Sequence, residues 1–92
     1  MKDPASLHGV TFDDGISAFS DPMAYAEFDA EHSDLSEERW KLVGVSQNLR
    51  IVAVVFTLRS HGYEEETTRI VTVRGATPKE RTRYEVRFRH NG

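Results

Sequence analysis

Four arginines stand where strands or a helix are expected to begin or end. Their positions are Arg59, Arg69, Arg74 and Arg81. Arginine keeps its charge and can bind phosphate through two parallel hydrogen bonds, which suits a phosphodiester that gains negative charge in its transition state. RNA also carries its own nucleophile, since a base that removes the 2′-OH proton lets that oxygen attack the adjacent phosphate. The set is compatible with RNA binding and metal-independent cleavage, and the alternative is a set of ordinary surface charges.

Three polar residues accompany these arginines and could move or orient a proton. They are His8, Glu80 and Tyr84. Glu80 stands three residues after Thr77, which is the spacing of a helix capping box, so a capping role competes with proton transfer. Tyr84 could orient the substrate or anchor the last helix through its ring. His8 could instead hydrogen-bond a helix end.

The last predicted helix runs from Pro78 to about Arg89 and is cationic. Tyr84 and Phe88 form its clear apolar pair, four residues apart, while Arg83 and Arg87 lie along another face. These two arginines are predicted to contact RNA beside the helix. A solvated cationic face is the alternative.

Other catalytic classes find little support in the sequence. The ligand-type residues Asp29, Glu31, His32 and Asp34 lie close together, but no second histidine accompanies them, and such segments are usually polar turns. The chain has no cysteine and its glycines are scattered singly, so neither a thiol site nor a glycine-rich phosphate loop is expected. No strand-turn signature holds a serine nucleophile. We therefore expect no metal and no cofactor.

The composition is that of one soluble globular domain, residues 1–92, with an uneven distribution of charge. The net charge is −3, yet residues 1–40 hold ten acidic and two basic side chains, and residues 41–92 hold five acidic and ten basic ones. A basic half of this kind can bind a polyanion while the acidic half covers other surfaces. No apolar run approaches the roughly 20 residues of a membrane span and no secretory signal is visible, so we expect a cytoplasmic protein without membrane contact.

The apolar pattern predicts an α+β fold that begins with a short helix. Residues 11–19 have the helical pattern, with Thr11 as the N-cap, Asp14 three residues later, and an apolar stripe formed by Phe12, Ile16 and Phe19. A glycine in the middle of this segment costs up to about 1 kcal/mol relative to alanine.

Three later segments are predicted strands joined by short connections, which implies an antiparallel meander. They span residues 40–45, 51–59 and 68–74, and residues 23–28 could add a further strand. The segment at 51–56 is apolar at every position, so it should be the central strand, covered on both faces. A C-terminal helix completes the prediction.

A series of different short motifs runs along the chain from Gly9 to Tyr84. They are Gly9-Val10-Thr11-Phe12 after a histidine, Phe19-x-Asp21-Pro22, Asp29-x-x-His32-Ser33, Glu38-Arg39-Trp40, Gly44-Val45-Ser46, Arg50, Val54-Val55-x-Thr57-x-Arg59, Arg69-Ile70-Val71 and Arg74-x-Ala76-Thr77-x-x-Glu80-Arg81-x-x-Tyr84. Each motif is short, but their order and spacing resemble the BrnT family of bacterial type II toxins.

The resemblance implies a RelE-like fold and a small ribonuclease that cuts mRNA. It also implies a BrnA-like ribbon-helix-helix antitoxin as partner, with DNA contacted only through that antitoxin. On this resemblance, phosphate binding and transition-state charge fall to Arg59, Arg74 and Arg81, and proton transfer or substrate orientation to Glu80 or Tyr84. Further RNA contacts are expected from His8, Arg69, Arg83 and Arg87.

The sequence departs from the family pattern in two places. Leu7 stands where the family has lysine, and most of the first family helix is missing. The predicted hairpin after Arg59 carries Glu64-Glu65-Glu66, which would repel a phosphate backbone. The alternative function is therefore a weakened or inactive module that mainly binds its antitoxin. A sheet face left uncovered could also promote self-association into a homo-oligomer.

Overall fold

The computed structural model describes residues 10–60 and 66–91, without the side chains of residues 60 and 88–91. The elements in chain order are helix α1 (Phe12–Ala18), strand β1 (Tyr25–Phe28), a 3₁₀ turn (Ala30–His32), strands β2 (Glu37–Val45), β3 (Ile51–Ser60) and β4 (Glu66–Gly75), and helix α2 (Pro78–Asn91). The strands form one antiparallel sheet in the order β1-β2-β3-β4, which confirms the predicted α+β meander. Neither described helix is long and apolar enough to cross a membrane.

The strands agree with the predicted segments: β1 begins two residues later than predicted, β3 is one residue longer, and β2 and β4 are longer by two or more residues. β2 begins at Glu37 because its first residues pair with the end of β3, where Glu37 lies opposite Arg59. Their side chains approach to 3.5 Å, so a charge pair extends the ladder into a polar segment. β4 begins at Glu66. It contains a β-bulge at Val71, because Val55 of β3 pairs with Thr72 while Phe56 pairs with Ile70, which leaves Val71 without a partner in the ladder. The predicted loop around residues 61–65 lies outside the described residues.

β3 is buried on both faces, as its apolar run predicted. On one face Val52 and Val54 pack with Val10 and with Ala18 of α1. On the other face the core cluster consists of Tyr25, Val43, Ala53 and, from α2, Tyr84. The sheet is thus a middle layer, with α1 on one side and α2 on the other.

Helix α1 has the predicted capping box, but its predicted apolar stripe does not face the core. Thr11 and Asp14 exchange hydrogen bonds between side chain and backbone as expected. The stripe residues Phe12, Ile16 and Phe19 are 57%, 48% and 38% exposed, whereas Asp14, Gly15 and Ala18 are buried. Asp14 reaches across to the β2–β3 turn, where its carboxylate accepts a 2.8 Å hydrogen bond from Asn48. This polar contact and the small residues turn the helix so that its bulky apolar side chains lie at the surface.

Gly15 occupies its helical position because the helix backbone lies against β4. A Cβ atom added there would stand 2.4 Å from Val73 Cγ2 and 2.9 Å from Val73 Cγ1. Gly15→Ala is therefore expected to lower the free energy of unfolding by about 1–3 kcal/mol, although alanine is the better helix former. Urea denaturation of the two proteins measures the difference. An increase in stability would show that α1 can move away from the sheet without loss.

Candidate nucleic-acid interface

The α2 side of the sheet is only half covered, and its open half carries arginines from three adjacent strands. Arg39 of β2 and Arg69 of β4 both pair with Thr57 of β3, so the three residues form one cross-strand row. The next row consists of Glu37, Arg59 and Thr67. We call Arg39, Thr57, Arg59, Thr67 and Arg69 the cationic face. With strands about 4.8 Å apart, the two arginines of the first row have Cα atoms roughly 10 Å apart.

Apart from Thr57, which is buried, and Arg39, which is half-buried, the cationic face is open to solvent, and it has little internal charge pairing. A shallow groove of about 200 Å³ is lined by Glu37, Thr57, Arg59, Thr67 and Arg69. Arg59 is 57% exposed and lies 3.5 Å from Glu37, a distance at which the pair adds little stability. Within the described residues no carboxylate lies within 4.0 Å of the Arg39 or Arg69 guanidinium. These two arginines are therefore available to an anionic ligand.

The start of α2 borders the cationic face with a network of opposite charges. Glu80 accepts hydrogen bonds from Arg74 at 2.8 and 3.0 Å, and Lys41 Nζ lies 2.7 Å from its Oε2. The same carboxylate accepts the Thr77 amide at 2.9 Å, while Thr77 Oγ1 accepts the Glu80 amide at 3.2 Å. The capping box predicted from the sequence is thus present, and Arg74 is held by it.

These partners fix the charge of Glu80. Hydrogen bonds from Arg74 contribute most to lowering its pKa, burial opposes them, and Lys41 and the Thr77 amide lower it further. The net result is a pKa far below the usual range of a glutamate. Arg74 and Lys41 have raised pKa values, chiefly through their bonds to Glu80. Glu80 in this arrangement is a weak base and a strong anchor for two cations.

Tyr84 fastens α2 to the loop before β1. Its hydroxyl donates a 2.6 Å hydrogen bond to Asp21 Oδ2, which also accepts the Val45 amide at 2.9 Å. Burial and the Asp21 carboxylate raise the pKa of Tyr84 to about 12. The ring is 6% exposed within the core cluster on this side of the sheet. Tyr84 is therefore placed to anchor the helix, one of the two roles that the sequence left open.

The exposed side of α2 adds cations around β1. Arg83 pairs with Glu27 and lies 4.7 Å above the Tyr25 ring, and Arg87 lies 5.8 Å from the same ring. A neighbouring pocket of about 270 Å³ is lined by Tyr25, Glu27, Lys41, Lys79, Glu80 and Arg83. Its charges are mixed, so it attracts anions less strongly than the cationic face does.

The structure brings together some of the residues predicted for the site and separates others. Arg59 and Arg69 share the cationic face, and Arg74 stands on the same side of the sheet, next to α2. Arg81 is exposed in the first turn of α2, and His8 lies outside the described residues. Sequence reasoning missed Arg39 and Lys41. They stand two residues apart on one strand, so alternation places them on one face, but only the pairing with β3 shows which face that is.

The predicted polar turn after β1 contains one ordered pair of side chains. His32 Nδ1 lies 2.8 Å from Asp29 Oδ2, at the edge of the sheet beside Arg39. Among the residues whose side chains are described, no three histidine, aspartate or glutamate side chains are close enough to hold a metal ion. The cluster singled out in the sequence is thus a turn with a histidine–carboxylate pair.

The opposite side of the sheet is apolar where α1 leaves it open. A groove of about 520 Å³ is lined by Ile16, Phe19, Leu42, Phe56, Leu58, Thr68 and Ile70. We call this set the apolar face. Phe28 and Trp40, with ring centroids 5.1 Å apart, continue the exposed apolar surface toward β1. An exposed surface of this kind usually marks a binding site.

Fold and site together define a small α+β protein whose antiparallel sheet presents cations on one side and apolar side chains on the other. The family model described as "Ribonuclease toxin, BrnT, of type II toxin-antitoxin system" matches residues 3–80. The chain belongs to the BrnT family, as the motif order indicated. No curated protein matches the chain.

Proposed function

We propose that this protein is an RNA-cleaving toxin that acts on mRNA in the cytoplasm, without a metal ion, through attack of the 2′-OH on the adjacent phosphate. The row formed by Arg39, Thr57 and Arg69 carries the proposal. Two arginines roughly 10 Å apart, with few competing carboxylates, suit successive phosphates of a single strand better than one compact anion. The membership of the chain in a family of ribonuclease toxins supports the same activity.

The charges suggest a division of labour in the reaction. The arginines of the cationic face, including Arg59, bind the scissile phosphate and its neighbours and stabilise the charge on its oxygens as the 2′ oxygen attacks. Arg74 and the start of α2 hold the RNA from the side, with Arg81, Arg83 and Arg87 as outer contacts. Glu80 and Tyr84 position these cations and the helix, because both are already bonded within the protein.

A cleavage assay in the presence of EDTA tests the activity. The purified protein is incubated with mRNA, with and without ribosomes, and the products are examined for 2′,3′-cyclic phosphate ends. We expect cleavage at an unchanged rate in EDTA, since the substrate supplies the nucleophile and arginines supply the positive charge. Intact RNA under all of these conditions would contradict the proposal. RNA with 2′-deoxy substitution is the matched control and should stay intact.

We further propose that the apolar face receives the antitoxin, a BrnA-like ribbon-helix-helix protein through which alone the toxin reaches DNA. Toxins of type II systems are paired with an antitoxin protein, which favours this occupant over a second copy of the chain. Acidic side chains lie near the groove, since Glu38 pairs with Leu58 and Asp13 lies on the exposed side of α1. An amphipathic segment with basic flanking residues would complement both features.

Coexpression with the product of the adjacent gene tests this surface. Phe19→Ser, which changes an exposed ring of the groove, should weaken the complex, while Leu49→Ser, an equally apolar exposed position in the β2–β3 turn, should not. If both variants bind the antitoxin as the wild type does, the antitoxin does not bind at the apolar face. A stable complex combined with an inactive free protein would instead favour the alternative function, a module that mainly binds its antitoxin. A homo-oligomer of the free protein that Phe19→Ser dissociates would assign the face to self-association.

A further inference from the structure

The turn after β1 holds a histidine in a fixed orientation at the edge of the cationic face. We propose that His32, oriented by Asp29, is the general base that removes the proton of the 2′-OH during RNA cleavage. This inference rests on the proposed ribonuclease function and adds the group that activates the nucleophile. Neither the family match nor the sequence pattern assigned a catalytic role to this pair.

The hydrogen bonds of the pair determine which ring nitrogen can accept a proton. Asp29 Oδ2 lies 2.8 Å from His32 Nδ1, and Asp29 Oδ1 accepts the His32 amide at 3.2 Å. Since the carboxylate can only accept, Nδ1 carries the proton, and the lone pair of the neutral ring is on Nε2. The His32 side chain is 61% exposed, so a substrate can approach it.

Asp29 is suited to orient the ring because it stays ionised. Partial desolvation raises its pKa, but the hydrogen bonds from His32 and the positive charge of Arg39 lower it by more, so the net shift is downward. A charged carboxylate next to Nδ1 also stabilises the imidazolium that forms when Nε2 takes a proton. The arrangement matches the base and its orienting acid in other hydrolytic sites.

Hydrogen bonds hold this turn against the strand that carries Arg39. The Asp29 amide donates to the Arg39 carbonyl at 2.8 Å, and the Arg39 amide donates to Ser33 Oγ at 2.8 Å. The Asp34 amide donates to the Glu37 carbonyl at 2.9 Å. The turn therefore occupies the place of a neighbouring strand beside the two cross-strand rows, about 5 Å from β2.

The other polar residues near the cationic face are poorly suited to be the base. Glu80 is held as a carboxylate of very low pKa by Arg74 and Lys41, and Tyr84 has its pKa raised to about 12. Among the residues whose side chains are described, His32 is the one histidine. Its neutral ring offers the lone pair on Nε2 that a general base needs.

The proposed step moves one proton and exchanges one bond at phosphorus. Nε2 of His32 takes the proton of the 2′-OH as the 2′ oxygen forms its bond to phosphorus. The bond from phosphorus to the 5′ oxygen then breaks, and this oxygen leaves with a proton supplied by water or by the imidazolium. The products are a 2′,3′-cyclic phosphate and a 5′-hydroxyl, so atoms and charge balance without an added reactant.

Single-turnover cleavage with a binding control tests the proposal. We expect His32→Gln to lower the cleavage rate by about 10²–10⁴-fold, the range for a general base, with a smaller loss for Asp29→Asn. Affinity for 2′-O-methyl RNA, which cannot be cleaved, should stay unchanged. Added imidazole should restore part of the activity of His32→Ala. Glu31→Gln, which changes an exposed residue of the same turn, is the matched control and should cleave as the wild type does.

Each outcome bears on the proposal. Wild-type cleavage by His32→Gln would overturn it and leave the proposed ribonuclease function intact. Loss of cleavage together with a matching loss of RNA affinity, and without rescue by imidazole, would assign His32 a structural role and would also overturn it. A wild-type protein that cleaves no RNA would overturn the base and the ribonuclease function together.

Discussion

Replacing Arg39 and Arg69 together with alanine is expected to lower RNA cleavage by about 10²–10⁴-fold, because each change removes a preorganised cation from the reacting strand. The two residues flank Thr57 in one row, and no described carboxylate lies within 4.0 Å of either guanidinium, so we expect their loss to cost the fold little. The dependence of RNA affinity on salt should also weaken. With roughly 0.7 counterions released per phosphate contact of a single strand, the slope should fall by about 1.4. Single-turnover kinetics and a salt titration of RNA binding measure the two effects.

Arg50→Ala is the matched control for these arginines. Arg50 is exposed and stands just before β3, at the opposite end of the strand from Arg59. Its loss removes the same charge from the protein but leaves the cationic face intact. If Arg50→Ala weakened binding as much as Arg69→Ala, RNA would be attracted by net charge and not by this surface.

Glu80→Gln is expected to lower the free energy of unfolding by about 2–3 kcal/mol. The glutamine side chain can still accept the hydrogen bond from the Thr77 amide, but it no longer offers a negative charge to Arg74 and Lys41. Charge-assisted hydrogen bonds of this kind contribute about 1.5–3 kcal/mol each. Both cations are partly exposed, so water recovers part of the loss. Urea denaturation at neutral pH measures the change. The variant Glu85→Gln, exposed on the same helix, should unfold as the wild type does.

The stabilisation from Glu80 should depend on pH in one direction. The pKa of its carboxyl is depressed in the folded protein, so the contribution is complete above the unfolded value of about 4.3 and is lost as the pH falls toward the folded value. The difference between wild type and Glu80→Gln should therefore shrink below about pH 4. A difference that stayed constant to pH 2 would mean that Glu80 does not bind its two cations as a carboxylate.

Local signals in the sequence predicted the elements well, because each had a short-range cause. The run at Ile51 marked the central strand, and Thr77 and Glu80 marked the start of α2. The orientation of α1 was not predictable in the same way. The apolar stripe that begins at Phe12 has helical spacing, yet it lies at the surface. The helix instead places Gly15 against β4, because the buried Asp14 and the close approach of the backbone determine how the helix packs.

The site was predicted only in part because it is assembled by strand pairing. Arg59 and Arg69 were chosen for their chemistry, and the sheet does place them together. Arg39 was noticed only as part of the motif Glu38-Arg39-Trp40, although it completes the row across β3. His32 was recognised only as part of a polar turn, since nothing local shows that this turn lies along the edge of β2.

The bulge at Val71 determines which side of the sheet the side chains of β4 face, and so it determines on which side the arginines of β4 lie. Arg69 and Arg74 are five positions apart, so in a regular strand they would point to opposite sides of the sheet. The extra residue between them restores a common side, where one pairs with Thr57 and the other with Ala53. If Val71 were instead paired within a regular ladder, with every residue retained, Arg69 would turn toward the apolar face, which would place a cation in the proposed antitoxin groove and remove one from the proposed RNA path. A single unpaired residue thus keeps the cationic face and the apolar face on separate sides of one sheet.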